Sequence, residues 1–184
     1  MAFIKNITDM EIIYYVACSL DNYIATLDGG VDWLSPFEKD NEDYGYSEFY
    51  QSIDAILMGR KTYQKVLESG KWPYIEKPCW VFSNKLQSVT TPNTVVTSDD
   101  PLQLVKNLSG EDKKRLWLVG GAQLAAAFRD QGLITQYIIS IIPVLIGRGI
   151  PMMQASERHE KLELKYIKRF DNGLIQLFFK VKNE

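Results

Sequence analysis

A glycine, two cations and a hydroxyl stand in a row at Gly59-Arg60-Lys61-Thr62, directly after the apolar run Ala55-Ile56-Leu57-Met58. Such a run reads as a buried strand, and Lys61 to Glu68 has a helix-compatible composition, so Asp54 to Tyr63 reads as strand, tight turn and helix start. The first turn of a helix leaves backbone N–H groups unpaired at the positive end of the helix dipole, and with Arg60 and Lys61 beside it that turn can hold a phosphate. The same residues also fit a plain strand-to-helix turn in which Gly59 relieves strain and the cations are solvated. Two further strand ends carry related chemistry. Leu116 to Val119 runs into Gly120-Gly121, and Ala122-Gln123-Leu124 to Arg129 is strong helix sequence, so the backbone there can approach a pyrophosphate closely. Cys79 to Phe82 ends in Ser83-Asn84-Lys85, whose hydroxyl, amide and ammonium bind phosphate or ribose oxygens, or else form a turn. A lone glycine pair is a weak signal, and the GxGxxG fingerprint is absent. Three such ends nevertheless converge on one crevice if their strands share an open α/β sheet.

The elements that must position them follow from periodicity. Ile12 to Cys18 is continuously apolar and β-branched or aromatic, the pattern of a strand in the middle of a sheet. A polar turn leads to Asn22-Tyr23-Ile24-Ala25, and Asp28-Gly29-Gly30 turns the chain again before Val31-Asp32-Trp33-Leu34. Ser35-Pro36 suits a helix start, but Phe37 to Tyr46 is polar enough to read as a loop. In it Glu38, Asp40, Glu42 and Asp43, followed by Glu48, outnumber Lys39. A site beneath that loop disfavours anions; with no site beneath, the loop is merely solvated. Tyr46 to Ser52 reads as a short helix, Thr94 to Thr97 as a strand, and Asp99-Asp100-Pro101 as the cap of a helix running to about Leu108. Gln136 to Ile142 is a strand, Gly147-Arg148-Gly149 a mobile or tightly turned loop, and two strands, Leu162 to Phe170 and Leu174 to Val181, flank the hairpin turn at Asn172-Gly173. The count is eight strands and about four helices, with helix crossovers early and an antiparallel ending: a mixed-sheet α/β protein.

Composition narrows the function. The 184 residues are 46% hydrophobic and 24% charged, which suits one domain with a substantial core. A net charge of -2 and the lack of any long basic run argue against a nucleic-acid partner. Cys18 and Cys79 lie in strand-like runs and read as buried thiols, while the single His159 sits among polar residues, so no zinc cluster is expected. Residues Met1 to Asp9 lack the pattern of a signal peptide, and no apolar run nears the roughly 20 residues of a membrane span, so a soluble, cytoplasmic protein is expected.

Four stretches, Val16-Ala17-Cys18-Ser19-Leu20-Asp21 to Ala25, Asp54 to Tyr63, Val119-Gly120-Gly121 and Ile142 to Pro151, occur in the order and spacing of a known family. Together they resemble the dihydrofolate reductase superfamily, nearest to the C-terminal reductase domain of bifunctional riboflavin-biosynthesis proteins. The resemblance spans about Glu11 to Lys182, giving one domain over 11–182 after a tail of residues 1–10. It implies a three-layer fold around a central eight-stranded mixed sheet, NADPH as hydride donor and often a homodimer. It sets the nicotinamide beside Ala17 and Ile24. It sets the diphosphate and adenosine phosphate on Gly59, Arg60, Lys61 and Thr62, under Gly120, Gly121, Ala122 and Gln123, with Ser83, Asn84 and Lys85 near the 2′-phosphate. Arg60, Lys61 and Lys85 favour NADPH over NADH.

The substrate side differs. Dihydrofolate reductases carry a carboxylate four residues ahead of a pocket phenylalanine; counted back from Phe49, that position is Gly45. Dihydrofolate reduction is therefore not expected. The deaminase domain usually fused to the riboflavin-pathway reductase is missing from this chain, and no basic group for a ribose phosphate is evident. Trp33, Tyr44 and Phe49 suit an aromatic substrate wall with Asp32 as a polar contact, or plain core packing. No side chain stands out as a nucleophile, which suits chemistry carried by a cofactor. The expected activity is NADPH-dependent hydride transfer to a small, heterocyclic substrate. The alternative is a sensor or sequestering protein that binds NADPH without turnover, and a mononucleotide or flavin site is a third, weaker reading.

Overall fold

The computed structural model describes residues 9–38, 42–111 and 113–182. The central apolar run forms β1 (Glu11–Ser19), followed by β2 (Tyr23–Thr26), a 3₁₀ turn (Asp32–Leu34), α1 (Ser35–Glu38) and α2 (Tyr46–Ser52). Then come β3 (Ala55–Gly59), α3 (Arg60–Glu68), β4 (Cys79–Phe82), β5 (Thr94–Thr97) and α4 (Pro101–Ser109). The chain continues through β6 (Arg115–Gly120), α5 (Ala122–Asp130), β7 (Gln136–Ile142) and β8 (Gly149–Pro151), and ends in the hairpin β9 (Leu162–Arg169) and β10 (Ile175–Val181). Eight strands make one sheet in the order β5-β4-β3-β6-β1-β7-β10-β9, parallel from β5 to β7 and antiparallel from β7 to β9. The mixed eight-stranded sheet expected from the sequence is the one observed, with β1 at its centre.

Because side chains alternate along a strand, the sheet buries two apolar faces. Ile12, Tyr14, Leu57, Leu116 and Leu118 pack against Leu104, Val105 and Leu108 of α4 and Ala125 and Phe128 of α5. On the other face Ile13, Ile56, Met58, Val81 and Trp117 meet Phe49 of α2, Tyr63 of α3 and the Trp72 and Tyr74 rings. Truncating a side chain as buried as Leu118 or Phe128 to alanine costs about 2–5 kcal/mol. Cys18 and Cys79 are free, buried thiols, and burial pushes them up to about 11 and about 12. The cap of α4 is the one expected, with Asp100 accepting the Leu102 N–H at 3.1 Å.

Two expectations need correction. Phe37 and Glu38, expected to begin a loop, instead complete the helical turn that Ser35-Pro36 starts, because a serine-proline start needs no long apolar period behind it. Asp40 and Lys39 lie outside the described residues. The Gly147-Arg148-Gly149 loop leads directly into β8, which pairs with β2 as a separate two-stranded sheet, so the described residues hold ten strands and five α-helices. Strands of three and four residues are too short to carry a periodic signal. One side chain ties this second sheet down: the Asp21 carboxylate accepts the Ser19 hydroxyl at 2.6 Å and the N–H groups of Ile146 at 3.1 Å and Gly147 at 2.7 Å. Those bonds, the Ser19 hydroxyl first, hold the Asp21 carboxyl below its ordinary range.

Candidate active site

Strands β4, β3, β6 and β1 run side by side and parallel, so the turns that leave their C-terminal ends gather at one edge of the sheet. Gly59 lies opposite Phe82, and Met58 opposite Gly120, which puts the three glycine- or serine-marked corners on neighbouring rungs. The two glycine corners touch. A Cβ built on Gly59 would stand 3.6 Å from the Gly120 carbonyl and 3.7 Å from the Gly121 nitrogen, and one on Gly121 would press Thr62 Oγ1 at 3.3 Å. Gly120 has a φ of +111°, left-handed backbone that a side chain would strain, and its peptide bond to Gly121 is cis.

Helices α3 and α5 begin at these corners, with Gly59 and Gly121 as N-caps that have no side chain to accept the first-turn N–H groups. The first turn of α3 holds Arg60 and Lys61 and no carboxylate, so its charges oppose the helix dipole. Arg60 donates to Gln64 Oε1 at 2.8 Å, Lys61 is exposed and Thr62 half-buried. Ala122 is buried in the first turn of α5, and Gln123 is exposed. The Ser83 hydroxyl oxygen accepts the N–H groups of Lys85 at 3.0 Å and Leu86 at 2.9 Å, so it builds the turn that presents Asn84 and Lys85 to solvent.

A cavity of about 470 Å³ opens where β1, β6 and β7 meet residues 34–38 and 42–46. Ala17, the expected nicotinamide neighbour, lines it together with Tyr15, Ser140 and Ile142. Phe37, Tyr44, Tyr46 and Trp117 supply aromatic surface, and Glu38, Glu42 and Asp43 supply carboxylates. Ala17, Ser140 and Gln176 occupy one rung across β1, β7 and β10. The buried Gln176 amide nitrogen donates to the Tyr15 hydroxyl at 2.8 Å and the Ser140 hydroxyl at 3.0 Å. Burial raises the Tyr15 phenol and pushes Tyr46 up to about 12, so both remain protonated at neutral pH. Asp43 caps α2 by accepting the N–H groups of Gly45 at 2.8 Å and Ser47 at 3.1 Å, and the Ser47 hydroxyl foremost, with these N–H groups after it, holds its carboxyl low.

Of the four aromatic and acidic residues picked out on the substrate side, Tyr44 lines the cavity. Its hydroxyl donates to the Phe37 carbonyl at 2.8 Å and accepts from Asn172 at 2.6 Å, which fastens the cavity wall to the β9–β10 hairpin. Phe49 stands behind the wall, its ring 4.7 Å from Tyr15 and 5.5 Å from Trp117. Asp32 and Trp33 belong to the 3₁₀ turn and do not line the cavity; Asp32 is exposed on the side of Lys65, and Trp33 buries its indole nitrogen. Ile24 is half-buried in β2. Gly45 has a φ of +80°, and a Cβ there would meet the Lys168 ammonium at 3.1 Å, so its backbone conformation resists the carboxylate found at this point in dihydrofolate reductases. The residues that sequence reasoning passed over are Tyr15, Trp117, Ser140 and Gln176. Ser140 and Gln176 each interrupt an apolar stretch, which marks a polar group within a strand but not the partners it meets.

The model of the RibD C-terminal domain family matches residues 10–176. The uncharacterised protein YwjB of Bacillus subtilis (strain 168) is 35% identical over 172 residues, covering 93% of this chain and 98% of YwjB. The crystal structure of a candidate riboflavin biosynthesis protein from Shewanella sp. PV-4 superposes with a TM-score of 0.86 at 28% identity, covering 95% of this chain and all of that one. A diaminohydroxyphosphoribosylaminopyrimidine deaminase/5-amino-6-(5-phosphoribosylamino)uracil reductase from Thermotoga maritima shares the fold, with a TM-score of 0.72 at 15% identity. It is matched over 98% of this chain and 60% of its own.

Proposed function

Since the chain belongs to the RibD C-terminal domain family, we propose that it is a reductase of the riboflavin-pathway kind that draws its hydride from NADPH. The observation that carries this reading is the contact between two glycine-capped helix N-termini, one of which opens with Arg60 and Lys61. A diphosphate there would receive first-turn N–H groups from both helices and offset a charge arrangement that weakens α3 by itself. Gly59, Arg60, Lys61, Thr62, Gly120, Gly121, Ala122 and Gln123 hold the diphosphate in this reading, while Ser83, Asn84 and Lys85 meet the adenosine phosphate. When bound, NADPH supplies the hydride. The chain's own share is to fix the nicotinamide at Ala17 and Ile24, to seat the acceptor in the adjoining cavity, and to keep water from both. The setting is cytoplasmic and the partner a small molecule.

Titration with NADPH and NADH, followed by quenching of the four tryptophans, tests the reading. The expected result is tight NADPH binding, much weaker NADH binding, and a loss of about tenfold in Arg60→Ala, the scale of one charge-assisted hydrogen bond. No binding of either nucleotide would overturn it. The conformation of Gly45 favours a second reading, a protein that binds NADPH without turnover. A purified sample that binds NADPH but never oxidises it across a panel of heterocyclic acceptors would select that one.

A further inference from the structure

We propose that the cavity between β1, β7 and residues 34–38 and 42–46 takes a flat aromatic cation. A hydrogen-bond acceptor of its ring system is buried against the Tyr15 hydroxyl, its positive group lies among Glu38, Glu42 and Asp43, and phosphorylated or carboxylated compounds are turned away. This rests on the reading of the cavity as the substrate site and names the class of molecule it accepts.

The floor sets one end of the ligand. An amide nitrogen only donates, so at both of its contacts the Gln176 nitrogen uses a lone pair of the hydroxyl it meets, and with the Ser140 hydroxyl also bonded to the phenol, one of their two protons is left to be placed elsewhere. Tyr15 and Ser140 both line the cavity, and burial keeps the phenol protonated, so the floor offers one O–H donor and calls for an acceptor such as a ring nitrogen or a carbonyl. The opening sets the other end. Glu38, Glu42 and Asp43 all line the cavity, whereas no lysine or arginine does so among the described residues. Lys168 lies against Gly45 and beside Asp43 and offsets that carboxylate. Between the two ends the Phe37, Tyr44, Tyr46 and Trp117 side chains offer π-faces, which suit a flat ring and favour a cation over an anion. A cavity of about 470 Å³ is of the size that encloses a small, drug-like ring compound. A phosphoribosyl group would bring two negative charges to Glu38 and Glu42, so the likeness to the riboflavin-pathway reductases extends here to the fold and the hydride transfer, and the acceptor is a different compound.

The test uses four matched compounds and calorimetric titration: quinoline-6-carboxamidine, quinoline-6-carboxamide, quinoline-6-carboxylate and naphthalene-2-carboxamidine. The quinoline amidine should bind about tenfold more tightly than the neutral amide, the carboxylate should not bind measurably, and removal of the ring nitrogen should cost about tenfold. In Glu38→Gln/Glu42→Gln the amidine should lose its advantage over the amide. In Tyr15→Phe the quinoline and naphthalene amidines should become equal, with the amidine-over-amide preference intact. Equal or tighter binding of the carboxylate, indifference to both variants, or no binding of any compound would overturn the proposal. NADPH titration of the same preparations separates this from the function itself. A lost probe pattern with NADPH binding intact removes only the ligand class, and lost NADPH binding with the pattern intact removes only the cofactor reading.

Discussion

Arg60 and Lys61 sit where a helix alone would favour aspartate or glutamate, since the first turn of α3 is the positive end of its dipole and Gly59 offers no capping side chain. A free protein therefore carries a small electrostatic cost that a bound anion removes. Lys61→Glu should raise the stability of the free protein by about 0.3–1 kcal/mol, or about 1–3 °C in melting temperature, while weakening NADPH by more than tenfold. Thermal melts with and without NADPH check both signs, and a variant that loses stability and keeps NADPH would refute the role given to this turn. The corner was legible in the sequence because its signal is local: an apolar run, then a glycine, then cations. Tyr15, Ser140 and Gln176 were not, because only the β1–β7–β10 register brings residues 15, 140 and 176 together.

At the scale of elements, the decisive contact is the one between β2 and β8. Asp21 and the bond from Leu20 N–H to the Val144 carbonyl, at 2.8 Å, join the turn after β1 to the loop after β7, so two stretches far apart in sequence act as one clasp next to Ala17. Gly149 closes it. A Cβ there would lie 2.2 Å from the Ala25 carbonyl and 3.1 Å from Tyr23 Cβ, a clash with backbone that no rotamer relieves. Gly149→Ala should cost about 1–3 kcal/mol in denaturant unfolding and speed amide exchange at Thr26 and Met152, leaving the central strands protected. Unchanged exchange there would mean the clasp yields at no cost. The sequence marked both stretches as family-like but left the second as a loop, since a three-residue strand has no period and its partner lies more than 120 residues away. The long β1, β6 and β7 runs were readable because strands buried on both faces are continuously apolar.

For the whole molecule, the β9 end of the sheet asks for a partner. By register, Ile175, Leu177 and Phe179 of β10 pair with Arg169, Ile167 and Leu164 of β9, and a bulge before Phe179 shifts the alternation. Leu164 and Ile167 thereby fall on the same side of the sheet as Leu177 and Phe179, yet they remain 46% and 51% exposed, and Ile175 37%. An edge strand with bare apolar side chains invites association, and lysine on such a strand is the usual protection. Here the nearest lysines, Lys165 and Lys168, are placed otherwise, Lys165 at the bulge beside Glu163 and Lys168 across the Phe178 ring. Apolar surface on a closed two-fold contact is self-complementary, so a second copy of this chain is the simplest occupant. Sedimentation should give twice the 21.1 kDa chain mass, and Leu164→Lys/Ile167→Lys should sediment as a monomer that still binds NADPH. A monomeric parent protein would overturn the prediction. So would a double variant that stays dimeric, since the contact would then lie elsewhere, away from the strand whose apolar residues demand cover.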